Sequence, residues 1–111
     1  MSKTIYNKLI RDRIPEIIRA DGKQYEIETM PEAEYVQALR EKLVEEALEA
    51  QKAEGNDLIK ELADLGEVMD ALMAYYGIGH EQVDRVQTAR RNERGAFEKR
   101  LKLIWSGYPE P

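Results

Sequence analysis

PEAEYVQALREKLVEEALEAQKAEGNDLIKELADLGEVMDALMAYYG, residues 31–77, is the stretch on which the fold turns. Thr29-Met30-Pro31-Glu32 has the chemistry of a helix start, a first-turn proline followed by acids. Apolar residues then recur at helical spacing to about Glu54. Gly55-Asn56-Asp57 breaks the pattern and supplies an N-cap for a second helix, Asp57–Tyr76, which ends at Gly77-Ile78-Gly79. Both stretches read as long helices, separated only by this short break.

Outward from this pair the signals weaken. Tyr6–Ala20 reads as a short helix from Leu9, Ile10, Ile14, Ile17 and Ile18, with Pro15 tolerated in a first turn. Asp21-Gly22 is a turn, and the alternation of Tyr25, Ile27 and Thr29 with Gln24, Glu26 and Glu28 predicts a half-exposed strand over residues 23–29. On the other side, a polar helix is expected from Glu81 to about Glu93, stopped by Gly95. Residues 97–105 can run extended and pair with residues 23–29, and the tail from Ser106 to Pro111 is expected to be loose. The expected architecture is a single domain over residues 1–111, a bundle of about four helices with a small two-stranded element, completed by oligomerisation.

Composition narrows the chemistry. With no cysteine, disulfides, thiolate nucleophiles and Cys-ligated zinc are excluded, and one histidine makes a multi-His metal cage untenable. No run of about 18 apolar residues exists, and Met1–Leu9 lacks the apolar core of a signal peptide, which points to a soluble cytoplasmic protein. The net charge of −5 is unevenly placed. Residues 31–70 hold twelve acids against four bases, residues 85–102 two acids against seven bases, and residues 1–19 two against five. An acidic middle between basic ends suits a carboxylate cluster for a cation, with bases near it for an accompanying anion. It disfavours a nucleic-acid surface, because the acidic field repels phosphate backbones.

Within the two long helices, Glu45-Glu46-Ala47-Leu48-Glu49 and Glu61-Leu62-Ala63-Asp64 carry acids three residues apart, on one helix face. With Glu46 at zero on a wheel of ~100° per residue, Leu39, Leu43, Ala47 and Ala50 fall between roughly +20° and +100°, and Glu49 near −60°. With Glu61 at zero, Leu58, Leu62, Leu65, Val68, Met69, Leu72 and Tyr76 span roughly −20° to +100°, and Asp64 again falls near −60°. Glu45, Glu67 and Asp70 lie further out. If the two stripes pack together, Glu46, Glu49, Glu61 and Asp64 converge at one border of the interface. Four carboxylates withdrawn from water repel one another, so the cluster needs a counter-charge. With oxygen ligands alone, Mg²⁺ is the first choice and Mn²⁺ the second. The plainer alternative is neutralisation by Lys42, Lys60 or an arginine from elsewhere.

Glu45-Glu46-x-x-Glu49 followed by Glu61-x-x-Asp64 resembles the EExxE…ExxD signature of the all-α nucleoside triphosphate pyrophosphohydrolases of the MazG type. Tyr6-Asn7-Lys8-Leu9-Ile10-Arg11-Asp12-Arg13-Ile14-Pro15 and Glu93-Arg94-Gly95-Ala96-Phe97-Glu98-Lys99-Arg100 are similar to the opening and closing segments of a phosphoribosyl-ATP pyrophosphohydrolase-like, or house-cleaning, subgroup. The gap between the two halves of the acidic motif is short for that family. The resemblance implies a homodimer or homotetramer, with Glu46, Glu49, Glu61 and Asp64 as metal ligands. It also implies hydrolysis of a nucleoside triphosphate to the monophosphate and pyrophosphate. Glu46, deepest in its stripe, is the expected catalytic residue that polarises water; Lys8, Arg11, Arg94 and Lys99 are the expected substrate contacts. Two other readings stay open: a phosphoribosyl-ATP pyrophosphohydrolase of histidine biosynthesis, and a helical interaction protein whose acids pair with a partner.

Overall fold

Four helices carry the regular structure of the computed structural model, which describes residues 2–110; Met1 and Pro111 lie outside the described residues. They are α1 (Ile14–Ala20), α2 (Glu32–Lys52), α3 (Gly55–Tyr75) and α4 (His80–Arg94). The contacts group the chain into two units, one ending at Ile78 and the other beginning at Gly79. No helix among the described residues is long and apolar enough to cross a membrane.

In the first unit, α2 and α3 form an antiparallel hairpin. Ala53 and Glu54 are extended, and Gly55 opens α3 at φ +58°, a left-handed conformation that costs a glycine little. The reversal at Gly55 therefore places the start of α3 two residues before Asp57, which becomes a first-turn acid facing the positive end of the helix dipole. Among the described residues only Leu39 (2% exposed) and Val68 (7%) are buried, one from each helix. The hairpin's core is thin.

The open end of the hairpin is tied by aromatic side chains. The Tyr75 hydroxyl donates a hydrogen bond to Glu32 across the two helices, and the Arg40 guanidinium donates to the Tyr76 hydroxyl at 3.0 Å. Tyr35 and Tyr75 meet edge to face with centroids 5.9 Å apart, a geometry that aligns ring edges with ring faces. The bond to Glu32, with some desolvation, pushes the Tyr75 hydroxyl up to about 12.

Two expectations need correction. α1 begins at Ile14 rather than Tyr6, because Pro15 occupies its first turn. A proline ring clashes with the carbonyl four residues earlier, so a helix running through Arg11 into Pro15 would be kinked or broken there. Residues 23–29 and 97–105 form no strand. Arg19 of α1 instead donates to the Tyr25 hydroxyl and sits over its ring, 5.6 Å from the centroid. That local tether satisfies Tyr25 without a partner strand.

The second unit consists of α4 and the segment that follows it. α4 starts after Gly79 and ends at Gly95, as the glycines predict. Residues 97–100 turn, with the Arg100 amide donating to the Phe97 carbonyl at 3.3 Å, and the chain then continues without regular structure.

Candidate metal centre

The wheel offset of the acids survives in three dimensions. Glu46 on α2 and Glu61 and Asp64 on α3 are half-buried, and each offers a carboxylate oxygen within 4.8 Å of the other two. Glu49, one turn beyond Glu46, is exposed and stays outside this trio, but its charge still reaches Glu61. Glu67 and Asp70, placed off the stripe by the wheel, are exposed.

The site is pulled in two directions by its own charges. Desolvation, then the charges of Asp64, Glu46 and Glu49, and finally a hydrogen bond with Glu46 all push the Glu61 carboxyl above the usual carboxylate range. Cations answer from two places. Arg11 donates to Asp64 Oδ1 at 2.8 Å, and Lys42 lies 3.6 Å from Glu46. Lys8 binds Glu45 at 3.1 Å, with Lys42 3.9 Å from the same carboxylate. Glu45, peripheral on the wheel, is thus the residue that docks Lys8; its three-residue spacing from Lys42 was the available signal. Lys60 makes no ion pair among the described residues.

The balance decides what the cluster can hold. Within the trio, Arg11 pairs with Asp64 and Lys42 with Glu46, so three carboxylates face two cations. Glu61 has no cationic partner of its own among the described residues. The donor set is wholly oxygen, the preference of a hard dication. In an octahedral shell with bonds of about 2.1 Å, neighbouring oxygens are about 3.0 Å apart and opposite ones about 4.2 Å. A trio within 4.8 Å reaches that spacing by small rotamer changes. The trio therefore offers three carboxylate oxygens of the kind that a hard dication takes.

Beside the cluster, the N-terminal segment crosses α2 and encloses a groove of about 210 Å³ lined in part by Asn7, Lys8, Leu9, Met30, Gln37 and Lys42. Asn7 takes a positive φ of 47°, uncommon outside glycine but tolerated by asparagine. Of the four expected substrate contacts, Lys8 and Arg11 are therefore at the acidic site. Arg94, the last residue of α4, and Lys99, in the turn after it, belong to the second unit and are exposed.

One consequence is measurable without any ligand. A carboxyl whose folded pKa is raised binds its proton more tightly folded than unfolded. Its contribution to stability falls as pH rises from the ordinary value of 4.5 through the raised one. In the presence of a chelator, Glu61→Gln is expected to melt above the native chain at neutral pH, with the difference vanishing toward pH 4.5. Thermal melting of both chains across that range checks this. A glutamine variant that melts lower, or by a constant offset at every pH, contradicts it.

No family model matches the chain, and no solved structure does. An uncharacterised protein of Mycolicibacterium smegmatis is 48% identical over 50 residues, which cover 45% of this chain and 51% of that protein. The matching region thus spans about half the length of the curated relative.

Proposed function

We propose that the chain is an Mg²⁺-dependent nucleoside triphosphate pyrophosphohydrolase of the MazG type, acting as a homodimer or homotetramer to clear unwanted nucleotides from the pool. The observation that carries this reading is the two-helix carboxylate trio, in which Glu61 has no cationic partner among the described residues. The motif resemblance supplies the reaction.

In this reading Glu46, Glu61 and Asp64 hold Mg²⁺, and Glu49 joins them by a change of rotamer. When bound there, the ion would supply positive charge against the triphosphate and a means of orienting water. Glu46 accepts a proton as the water oxygen bonds to the α-phosphorus. The bond from that phosphorus to the bridging oxygen breaks, and pyrophosphate leaves. Lys8 and Arg11 exchange their carboxylate partners for phosphate oxygens, a substitution that keeps each cation paired. Asn7 and Gln37 offer amides to the base or ribose from the neighbouring groove.

The test is a pyrophosphate-release screen over normal and modified nucleoside triphosphates, with phosphoribosyl-ATP included. Release of pyrophosphate from one or more nucleoside triphosphates, dependent on Mg²⁺, is the expected result. Turnover confined to phosphoribosyl-ATP assigns the chain to histidine biosynthesis instead. No turnover of any of them removes the enzymatic reading.

A further inference from the structure

Residues 2–11 form no helix or strand, and a turn at residues 12–13 leads the chain into α1. Within residues 2–11 only Leu9 is half-buried, and the others are exposed. So little apolar burial leaves charge to hold the segment in place. Two ion pairs do so: Lys8 with Glu45 on α2, and Arg11 with Asp64 on α3. The Arg11 carbonyl also accepts from the Ile14 amide at 3.1 Å, a backbone bond that does not involve its side chain.

The two cations on the carboxylate trio differ in how they are held. Lys42 stands four residues from Glu46 on the same helix with a side chain 18% exposed, so α2 itself keeps it there. Arg11 arrives from 53 positions away, and its side chain is 55% exposed. An exposed ion pair favours its closed form by at most about five-fold. Arg11 is therefore the cation that can leave. It cannot share Asp64 with a dication at no cost. Even on the other carboxylate oxygen, a dication would stand about 5 Å from the guanidinium, a repulsion worth roughly ten-fold in affinity in water before salt screens it.

We propose that Arg11 is a built-in stand-in for the dication, capping Asp64 until an ion competes for that carboxylate. The N-terminal segment then acts as a strap across the acidic face, released at Arg11 when the ion enters. The inference rests on the metal reading of the function proposed above and adds its regulation. A released guanidinium is free to take a phosphate oxygen, so ion and triphosphate each favour the binding of the other by the same factor.

Mn²⁺ is the probe, because its free form gives an electron paramagnetic resonance signal that is lost on binding. It is added to the full chain without nucleotide. Arg11→Gln is expected to bind Mn²⁺ at least about three-fold more tightly than the native chain, with the helical circular-dichroism signal unchanged. Arg11→Lys, which keeps the charge on a shorter reach, is expected to fall between the two, and it decides if the glutamine variant unfolds. Lys8→Gln removes the same charge, but its partner Glu45 lies outside the trio. It is expected to change the affinity by less than about two-fold, since a more distant exposed charge is screened. Mg²⁺ that displaces the bound Mn²⁺ should rank the chains in the same order. The competition is overturned, with the metal reading left standing, if Arg11→Gln binds Mn²⁺ no more tightly than the native chain. Lys8→Gln gaining as much as Arg11→Gln overturns it too, because net charge alone then accounts for the effect. Mn²⁺ left unbound by every chain at millimolar concentration overturns the competition and the metal reading together.

Discussion

Glu46→Gln is expected to lower pyrophosphate release by about a hundred-fold or more, with the fold intact. The substitution keeps volume and hydrogen-bonding reach but removes both a negative ligand and the proton acceptor, and a positioned base alone is worth about 10²–10⁴-fold. The hairpin tolerates it because Glu46 is crowded by like charge from Glu61 and is only partly compensated by Lys42 at 3.6 Å. Asp64→Asn is the companion. It removes a ligand and releases Arg11, which now holds Asp64 at 2.8 Å. A loss of similar size is expected, but it should be recovered in part by raising Mg²⁺, because in the proposed mechanism Asp64 holds the ion without taking the proton. Pyrophosphate release against Mg²⁺ concentration, with circular dichroism as the folding control, separates the two roles. Full activity in both variants removes the trio from the mechanism.

Mg²⁺ with a non-hydrolysable nucleotide is expected to raise the melting temperature. A ligand that binds only the folded state, at ten times its dissociation constant, adds about 1.4 kcal/mol. For a domain of this size that corresponds to about 5–10 °C. The like charge around Glu61 would be the source of the gain, since an ion bound in the proposed way would offset the repulsion that helps to raise the Glu61 carboxyl. The same ionic strength made up with a monovalent salt should produce a much smaller shift by screening alone. Glu61→Gln should start from a higher ligand-free melting temperature and respond less to Mg²⁺. An unchanged melting temperature with Mg²⁺ and nucleotide present favours a helical interaction protein whose acids await a basic partner.

The hairpin was legible because its signals agree at every level. Pro31, the Gly55 break and the Gly77–Gly79 stop bracket two helical repeats, and the observed helices end within three residues of those marks. The wheel placed Glu46, Glu61 and Asp64 correctly because helix geometry is rigid enough to carry a side chain's direction from its number. Local alternation misled at residues 23–29. A strand is stable only when another chain segment supplies its hydrogen bonds, and the alternation of Tyr25 and Ile27 says nothing about whether one exists. The N-terminal overreach had a different source: the apolar spacing of Leu9 and Ile10 outweighed the steric meaning of Pro15.

The sequence by itself determined that α2 and α3 exist, where they break, and that each bears acids at the edge of its apolar stripe. Periodicity, turn residues and charge are properties of neighbours along the chain, and those are written in order. Only the tertiary structure decided that three of the four acids close to within 4.8 Å while Glu49 stands aside, and that Arg11 and Lys8 fold back to pair with Asp64 and Glu45. Those pairings join residues 53 and 37 positions apart. Such contacts depend on how far helices interpenetrate and where an irregular segment is carried by its neighbours, and no local rule encodes either.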